Sequence, residues 1–213
     1  MSFDRLAPHY RWLEWVLAGE KLQRCRTAFL SQVRYANEVL VLGEGNGRFL
    51  LECRKLLGSA RIICVDASGR MLELARQRLA RAGINVEGVE FVHADVLTWA
   101  PPRRAFDLII THFFLDCFKA EQLEPLLTAL ARASCPRAAW LIADFQIPNK
   151  GIGRWRAQVI HRIMYAFFRL ATRLPARQLT APDPFLTSRG FFLRCRLVSD
   201  WGLLRSDIWE RVP

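Results

Sequence analysis

The sequence predicts a doubly wound α/β domain: a seven-stranded, mostly parallel sheet with helices on both faces and an antiparallel hairpin at one end. Three observations predict it. Between residues 39 and 145, short apolar runs alternate with segments of helical spacing. The runs are continuously apolar, as strands covered on both faces require. One run passes into three alternate glycines and then a helix, the kind of junction at which open α/β sheets bind ligands. The chain has 213 residues, 52% of them hydrophobic, enough for one domain of this kind and short for two.

The elements follow in order. Residues 1–35 form an N-terminal helical lid. Phe3–Arg34 has the spacing of two helices, with Leu6, Tyr10, Leu13 and Val16–Leu17 on one face of the first. Preceding the first strand, they can lie over the carboxyl edge of the sheet. Residues 36–145 form the ligand-binding core. Its strands are Val39–Leu42, Arg61–Val65, Gly88–His93, Phe106–Thr111 and Ala138–Phe145. Its helices are Arg48–Leu57, Gly69–Ala82 (spaced through Met71, Leu72, Leu74, Ala75 and Leu79) and Ala120–Ala133.

Residues 146–213 carry an inserted helix and the last strands. In Gly151–Arg173 the apolar residues Ile152, Trp155, Val159, Ile160, Ile163, Met164, Phe167, Phe168 and Ala171 recur at helical spacing. Arg154, Arg162, Arg169 and Arg173 take the opposite face, and no acidic residue occurs between Asp144 and Asp183. This is a basic amphipathic helix. A short helix near Pro184–Arg189 and a hairpin of Gly190–Val198 with Leu203–Arg211 complete the chain. No linker interrupts residues 1–213, so they read as one domain.

The net charge of +11 suits an acidic partner (nucleic acid, an anionic membrane surface or an acidic substrate) or serves solubility alone. The six cysteines form no C-x-x-C pair and read as free thiols. The N-terminus lacks a secretory pattern, and no apolar run reaches the roughly 18 residues that span a bilayer. The expectation is a cytoplasmic protein, membrane-peripheral if the basic helix meets anionic headgroups rather than water alone.

The chemistry centres on Val39-Leu-Val-Leu-Gly43-Glu44-Gly45-Asn46-Gly47-Arg48. Glycines allow backbone angles closed to other residues and let a ligand lie against the chain, and the next helix opens with unpaired N–H groups. A dinucleotide fingerprint needs a third small residue where Arg48 stands, which speaks against a nucleotide-dependent oxidoreductase. Asp66 ends the second strand about 20 residues after the loop, where a carboxylate grips ribose hydroxyls; it or Ser68 could equally cap the following helix. Asp95, in His93-Ala94-Asp95-Val96, ends the third and could accept from an adenine amino group or simply sit in a surface loop. Glycines and two carboxylates thus end three successive strands beside one crevice.

With these residues in place, Val39–Phe145 resembles the class I S-adenosylmethionine-dependent methyltransferases. Gly43–Gly47 is similar to their first motif, whose ligand has no pyrophosphate. Asp66-Ala67-Ser68 with Met71-Leu72 is similar to the second, and His93–Val96 to the adenine-contacting motif. Phe3–Tyr10 and Trp201-Gly202-Leu203-Leu204 resemble the opening and last strand of the ubiquinone/menaquinone-biosynthesis group. The resemblance implies a Rossmann-like fold and S-adenosylmethionine as cofactor, with S-adenosylhomocysteine as product. It implies cofactor contacts from Tyr10, Gly43, Glu44, Gly45, Gly47, Asp66, Ala67, Met71, Asp95, Val96, Thr111 and His112. One departure is Val41, where the family usually has an acidic residue; Glu44 is the candidate to replace it.

The acceptor side falls on Thr111–Phe118. His112, with an ordinary pKa near 6.5, is the base candidate, and Asp116, one helical turn on, would orient it. Phe113, Trp155 and Arg156 are the expected substrate contacts, and no metal is called for, since the histidines are scattered and no carboxylate pair has ligand spacing. The expected partner is a small lipophilic or aromatic methyl acceptor. Two other readings stay open. A nucleic-acid methyltransferase fits the charge but lacks the Asn/Asp-Pro-Pro-Tyr/Phe stretch that grips a flipped base; a non-catalytic cofactor-binding scaffold fits the fold.

Overall fold

The computed structural model describes residues 19–148, 151, 153–162 and 180–211. The first lid helix, with Tyr10, and the second half of the inserted helix lie outside them. Helix α1 is Gly19–Thr27, followed by a 3-10 turn at Leu30–Val33. Strand β1 (Glu38–Leu42), helix α2 (Arg48–Leu56), strand β2 (Arg61–Asp66), helix α3 (Gly69–Arg81) and strand β3 (Val89–His93) make the first half. Strand β4 (Phe106–His112), a 3-10 turn at Leu115–Cys117, helix α4 (Ala120–Ala133) and strand β5 (Ser134–Phe145) make the second. Helix α5 (153–162), helix α6 (Asp183–Thr187), strand β6 (Phe191–Ser199), a 3-10 turn at Asp200–Gly202 and strand β7 (Leu204–Arg211) follow.

The seven strands lie in the order β3-β2-β1-β4-β5-β7-β6, with β7 antiparallel to both neighbours. The winding reverses between β1 and β4, so the crevice at a topological switch point opens over the Gly43–Gly47 turn. The core explains the continuously apolar strands. Val39 and Val41 face α2 and α3 with Phe49, Leu50, Ala75 and Leu79. Leu40 and Leu42 face α4 with Leu123, Leu127 and Leu130. A strand sandwiched this way cannot alternate polar and apolar residues.

Two polar staples fix the amino end of the sheet, opposite the crevice. Asp107 accepts from the backbone N–H groups of Asn37 and Glu38, at 2.9 and 3.1 Å. The Arg54 guanidinium donates to the carbonyls of Ala60, Asn85 and Glu87, tying together the turns before β2 and β3. Strand β5 begins four residues before the expected Ala138. Pro136 and Arg137, the latter with φ of 69°, disguise its start in the sequence, and the pairing with β4 is irregular between Phe106 and Leu108. Strand β6 is the sheet edge. Arg196 crosses from it to bond both carboxylate oxygens of the buried Asp207 at 2.7 Å, the bidentate geometry that a buried carboxylate needs.

Candidate active site

The turn after β1 is built on left-handed backbone: φ is 65°, 70° and 81° at Gly43, Gly45 and Gly47. Two of these glycines are also sterically required. A Cβ on Gly43 would sit 2.3 Å from the Phe114 ring, and one on Gly47 would sit 2.6 Å from the Ala75 Cα of α3. The turn is then held by its neighbours. The Gly43 N–H donates to the Val65 carbonyl at 2.9 Å, and Arg78 of α3 donates to the Asn46 carbonyl at 2.9 Å.

Asp66 meets this turn from β2. One oxygen accepts from the Gly45 N–H at 3.1 Å and the other from the Ser68 N–H at 2.9 Å. The helix-capping role belongs to Ser68, whose hydroxyl accepts from the Met71 N–H at 3.2 Å, a cap worth about 1 kcal/mol. From β3, His93 reaches the Ala67 carbonyl at 3.1 Å. Asp95 is exposed; one oxygen accepts from the Leu97 N–H at 3.0 Å, and its carbonyl anchors Thr98 and Trp99. Val96 packs at the margin of the core, whereas Met71 is covered by protein.

Glu44 has an unusual position. Its Oε1 accepts from the N–H groups of Phe49 and Leu50, at 3.0 and 2.9 Å. The loop thus caps its own helix with a carboxylate. Two N–H groups in the first turn of α2, which could otherwise receive a phosphate, are already bonded to this carboxyl. Burial pushes the Glu44 carboxyl up to about 7 against the pull of those two amides and of Arg26.

The other side of the crevice is formed by the ends of β4 and β5. His112 is buried, edge-on to Phe49 at 4.5 Å, and its Nδ1 has no hydrogen-bond partner. Burial, and then the charge of Arg26, hold the imidazole well below its ordinary pKa. Phe113 has φ of 51° and packs on Phe145 at 4.9 Å, with the Arg26 guanidinium over its ring at 5.2 Å. Asp116 and Asp144 are both buried. Burial raises Asp116 to about 6, and it raises Asp144 well above the carboxylate range, where the charge of Asp116 adds to the effect.

Comparison with known proteins now adds to this geometry. Residues 39–137 match the family model described as a methyltransferase domain. The chain is 30% identical over 175 residues to the ubiquinone/menaquinone biosynthesis C-methyltransferase UbiE of Azotobacter vinelandii, covering 81% of this chain and 67% of that protein. The chain belongs to the class I S-adenosylmethionine-dependent methyltransferases. The UbiE of Pseudomonas fluorescens is 28% identical with 81% and 66% coverage, so this methyltransferase spans about two thirds of the length of these relatives. Its fold is that of the mitomycin 7-O-methyltransferase MmcR (TM-score 0.72, 16% identity, covering 100% of this chain and 61% of the other). It is also that of human N-acetylserotonin methyltransferase solved with S-adenosylmethionine (TM-score 0.63, 17% identity, 90% and 52%).

The residues fit the methyltransferase cofactor. A glycine turn with Asp66 at its rim, and with the Glu44 carboxyl already bonded to the helix terminus, suits a ribose joined to a cationic sulfonium. The structure places several of the expected site residues as follows. Thr111 turns away from the crevice, its hydroxyl accepting from the Trp140 indole at 2.9 Å. His112 and Asp116 do not bond each other. His112 follows the Leu108–Ile110 side of β4 toward Phe49, whereas Leu115, beside Asp116, packs on the α4 side, because the left-handed Phe113 breaks any helical turn between them. Trp155 is 70% exposed, and α5 turns Ala157 and His161 inward instead. Arg156 is spent on Asp200, at 3.1 Å from its carboxylate. The sequence reading missed Arg26 and Asp144. Only their position against distant elements marks them, although an acid at the end of β5 repeats the pattern of Asp66 and Asp95.

Proposed function

We propose that this methyltransferase moves a methyl group from S-adenosylmethionine to a small lipophilic or aromatic acceptor, with Asp116 receiving the proton that the acceptor loses. The observation that carries this reading is a buried carboxyl pair, Asp116 and Asp144, in segments that also carry two aromatic pairs, Phe113 on Phe145 and Phe114 on Phe118. The relatives named as C-methyltransferases of ubiquinone and menaquinone biosynthesis support an aromatic acceptor.

On this reading the backbone of Gly43–Gly47 lies under the cofactor, Asp66 takes its ribose hydroxyls and Asp95 its adenine. The free oxygen of Glu44 takes the ammonium that the usual acid would meet at Val41, and Arg26 takes the carboxylate. When bound, the cofactor supplies a methyl group already activated on sulfur. The chain's own task is alignment and exclusion of water, worth about 7–11 kcal/mol. Methylation at a ring carbon or hydroxyl also releases a proton. A carboxyl near 6 is ionised at neutral pH and still basic enough to receive it, a contribution of about 10²–10⁴-fold. His112, kept neutral, shapes the floor of the crevice instead of moving protons.

The test is methyl-labelled cofactor offered with alkylated phenols and hydroquinones, polar small molecules and RNA. Label in the alkylated aromatics supports the reading. Label only in RNA, with a steep loss of binding as salt rises, would replace it.

A further inference from the structure

Two tryptophans are the most exposed large apolar side chains among the described residues, Trp155 at 70% and Trp201 at 79%. They belong to one platform. The Arg156 guanidinium donates to the carbonyl and to the carboxylate of Asp200, each at 3.1 Å, and Lys21 of α1 reaches the same carboxylate at 2.7 Å. The contact is close: a Cβ on Gly153 would come within 2.6 Å of the Trp201 carbonyl oxygen.

The turn carrying Trp201 is also strained. Asp200, Trp201 and Gly202 have φ of 49°, 60° and 84°. A bulky residue seldom adopts that region, and doing so costs on the order of 1–2 kcal/mol, a strain that persists only where the surroundings enforce it. Here the enforced result is an indole held out in water.

The neighbours of these rings define what they fit. Leu197 and Val198, four and three residues before Trp201, and Ile147, ahead of α5, are also exposed, aliphatic groups that offer nucleic acid no hydrogen bond. On α5, Arg154, Gln158 and Arg162 are exposed with Trp155. No acid occurs between Asp144 and Asp183, and the nearby Asp200 is already paired with two cations. Indoles partition to the headgroup level of bilayers, and cationic helix faces add attraction to anionic lipid.

We propose that this platform docks the protein on an anionic lipid bilayer, with Trp155 and Trp201 inserted among the headgroups. Its location connects docking to the site. Phe145 of β5, Leu204 of β7 and Ser199 of β6 meet at the same edge of the sheet on which Asp66 and the glycine turn lie. If the acceptor is lipophilic, as proposed above, it would reach the crevice from the bilayer without crossing water; the docking itself does not depend on that reading.

The test uses vesicles of phosphatidylcholine alone and with roughly one third phosphatidylglycerol, read by co-sedimentation and tryptophan emission. The expected result is binding to the anionic vesicles with a blue shift. The double variant W155A/W201A should bind at least about tenfold more weakly and lose the shift, at unchanged melting temperature and S-adenosylhomocysteine affinity. The proposal is overturned if the unsubstituted protein ignores both vesicles or the double variant binds as well as it does. It is also overturned if the tryptophans instead hold a dimer that the double variant dissolves. Loss of S-adenosylhomocysteine binding in the unsubstituted protein would count against the methyltransferase reading and leave the docking result standing.

Discussion

Gly47→Ala tests the physical basis of the glycine turn. An alanine at φ of 81° pays the left-handed penalty, about 1–2 kcal/mol. Its Cβ would also fall 2.6 Å from the Cα and 2.8 Å from the Cβ of Ala75. Both belong to α3, whose backbone cannot rotate aside, so the overpacking term of about 1–3 kcal/mol applies as well. The expected loss is about 2–5 kcal/mol, a large part of the stability of an ordinary domain. Gly83→Ala supplies the control: φ is 68° and nothing lies within 4 Å of the added Cβ, so only the backbone penalty acts. Urea unfolding of both variants should show a lower midpoint at unchanged slope, with Gly47→Ala clearly the worse. Equal losses in the two would refute the claim that close packing of α3 on the turn dictates this glycine.

Two further variants probe the carboxylates. For Glu44→Gln, the cap on α2 survives but the charge does not. Affinity of the unsubstituted protein for S-adenosylhomocysteine should rise as pH climbs through about 7 and Glu44 ionises, while the variant stays low and flat by calorimetry between pH 6 and 8. For Asp116→Asn, turnover should fall about 10²–10⁴-fold, against an unsubstituted rate that rises through pH 6. Stability should move the other way. The folded pKa of Asp116 is raised, so its stabilising share is complete below about 4 and lost as pH rises to about 6. The asparagine variant should therefore gain stability at pH 8 relative to pH 4 in denaturant titrations.

Most of the sheet was legible because its strands are apolar on both faces and its helices carry clean 3.6-residue spacing. The crevice was legible because glycines and acids at strand ends are local signals. What the sequence concealed was direction. Thr111 and His112 are adjacent in β4, yet the pleat sends one to Trp140 and the other to Phe49. Counting four residues from His112 to Asp116 presumes a helix that Phe113 interrupts. Trp155 belonged to a plausible apolar stripe, but the contact of Gly153 with Trp201 sets the rotation of α5 and turns that ring outward. Arg26 and Asp144 become site candidates only through elements far away in the chain, for which no short-range pattern exists.

Titration calorimetry with S-adenosylhomocysteine, on the unsubstituted protein and on Asp66→Ala, reaches the core of this account. Micromolar-range binding that weakens by about a hundredfold or more without Asp66 is the outcome expected of a carboxylate gripping ribose hydroxyls at the glycine turn. Tight binding that ignores the loss of Asp66, or no binding by the unsubstituted chain, would contradict it.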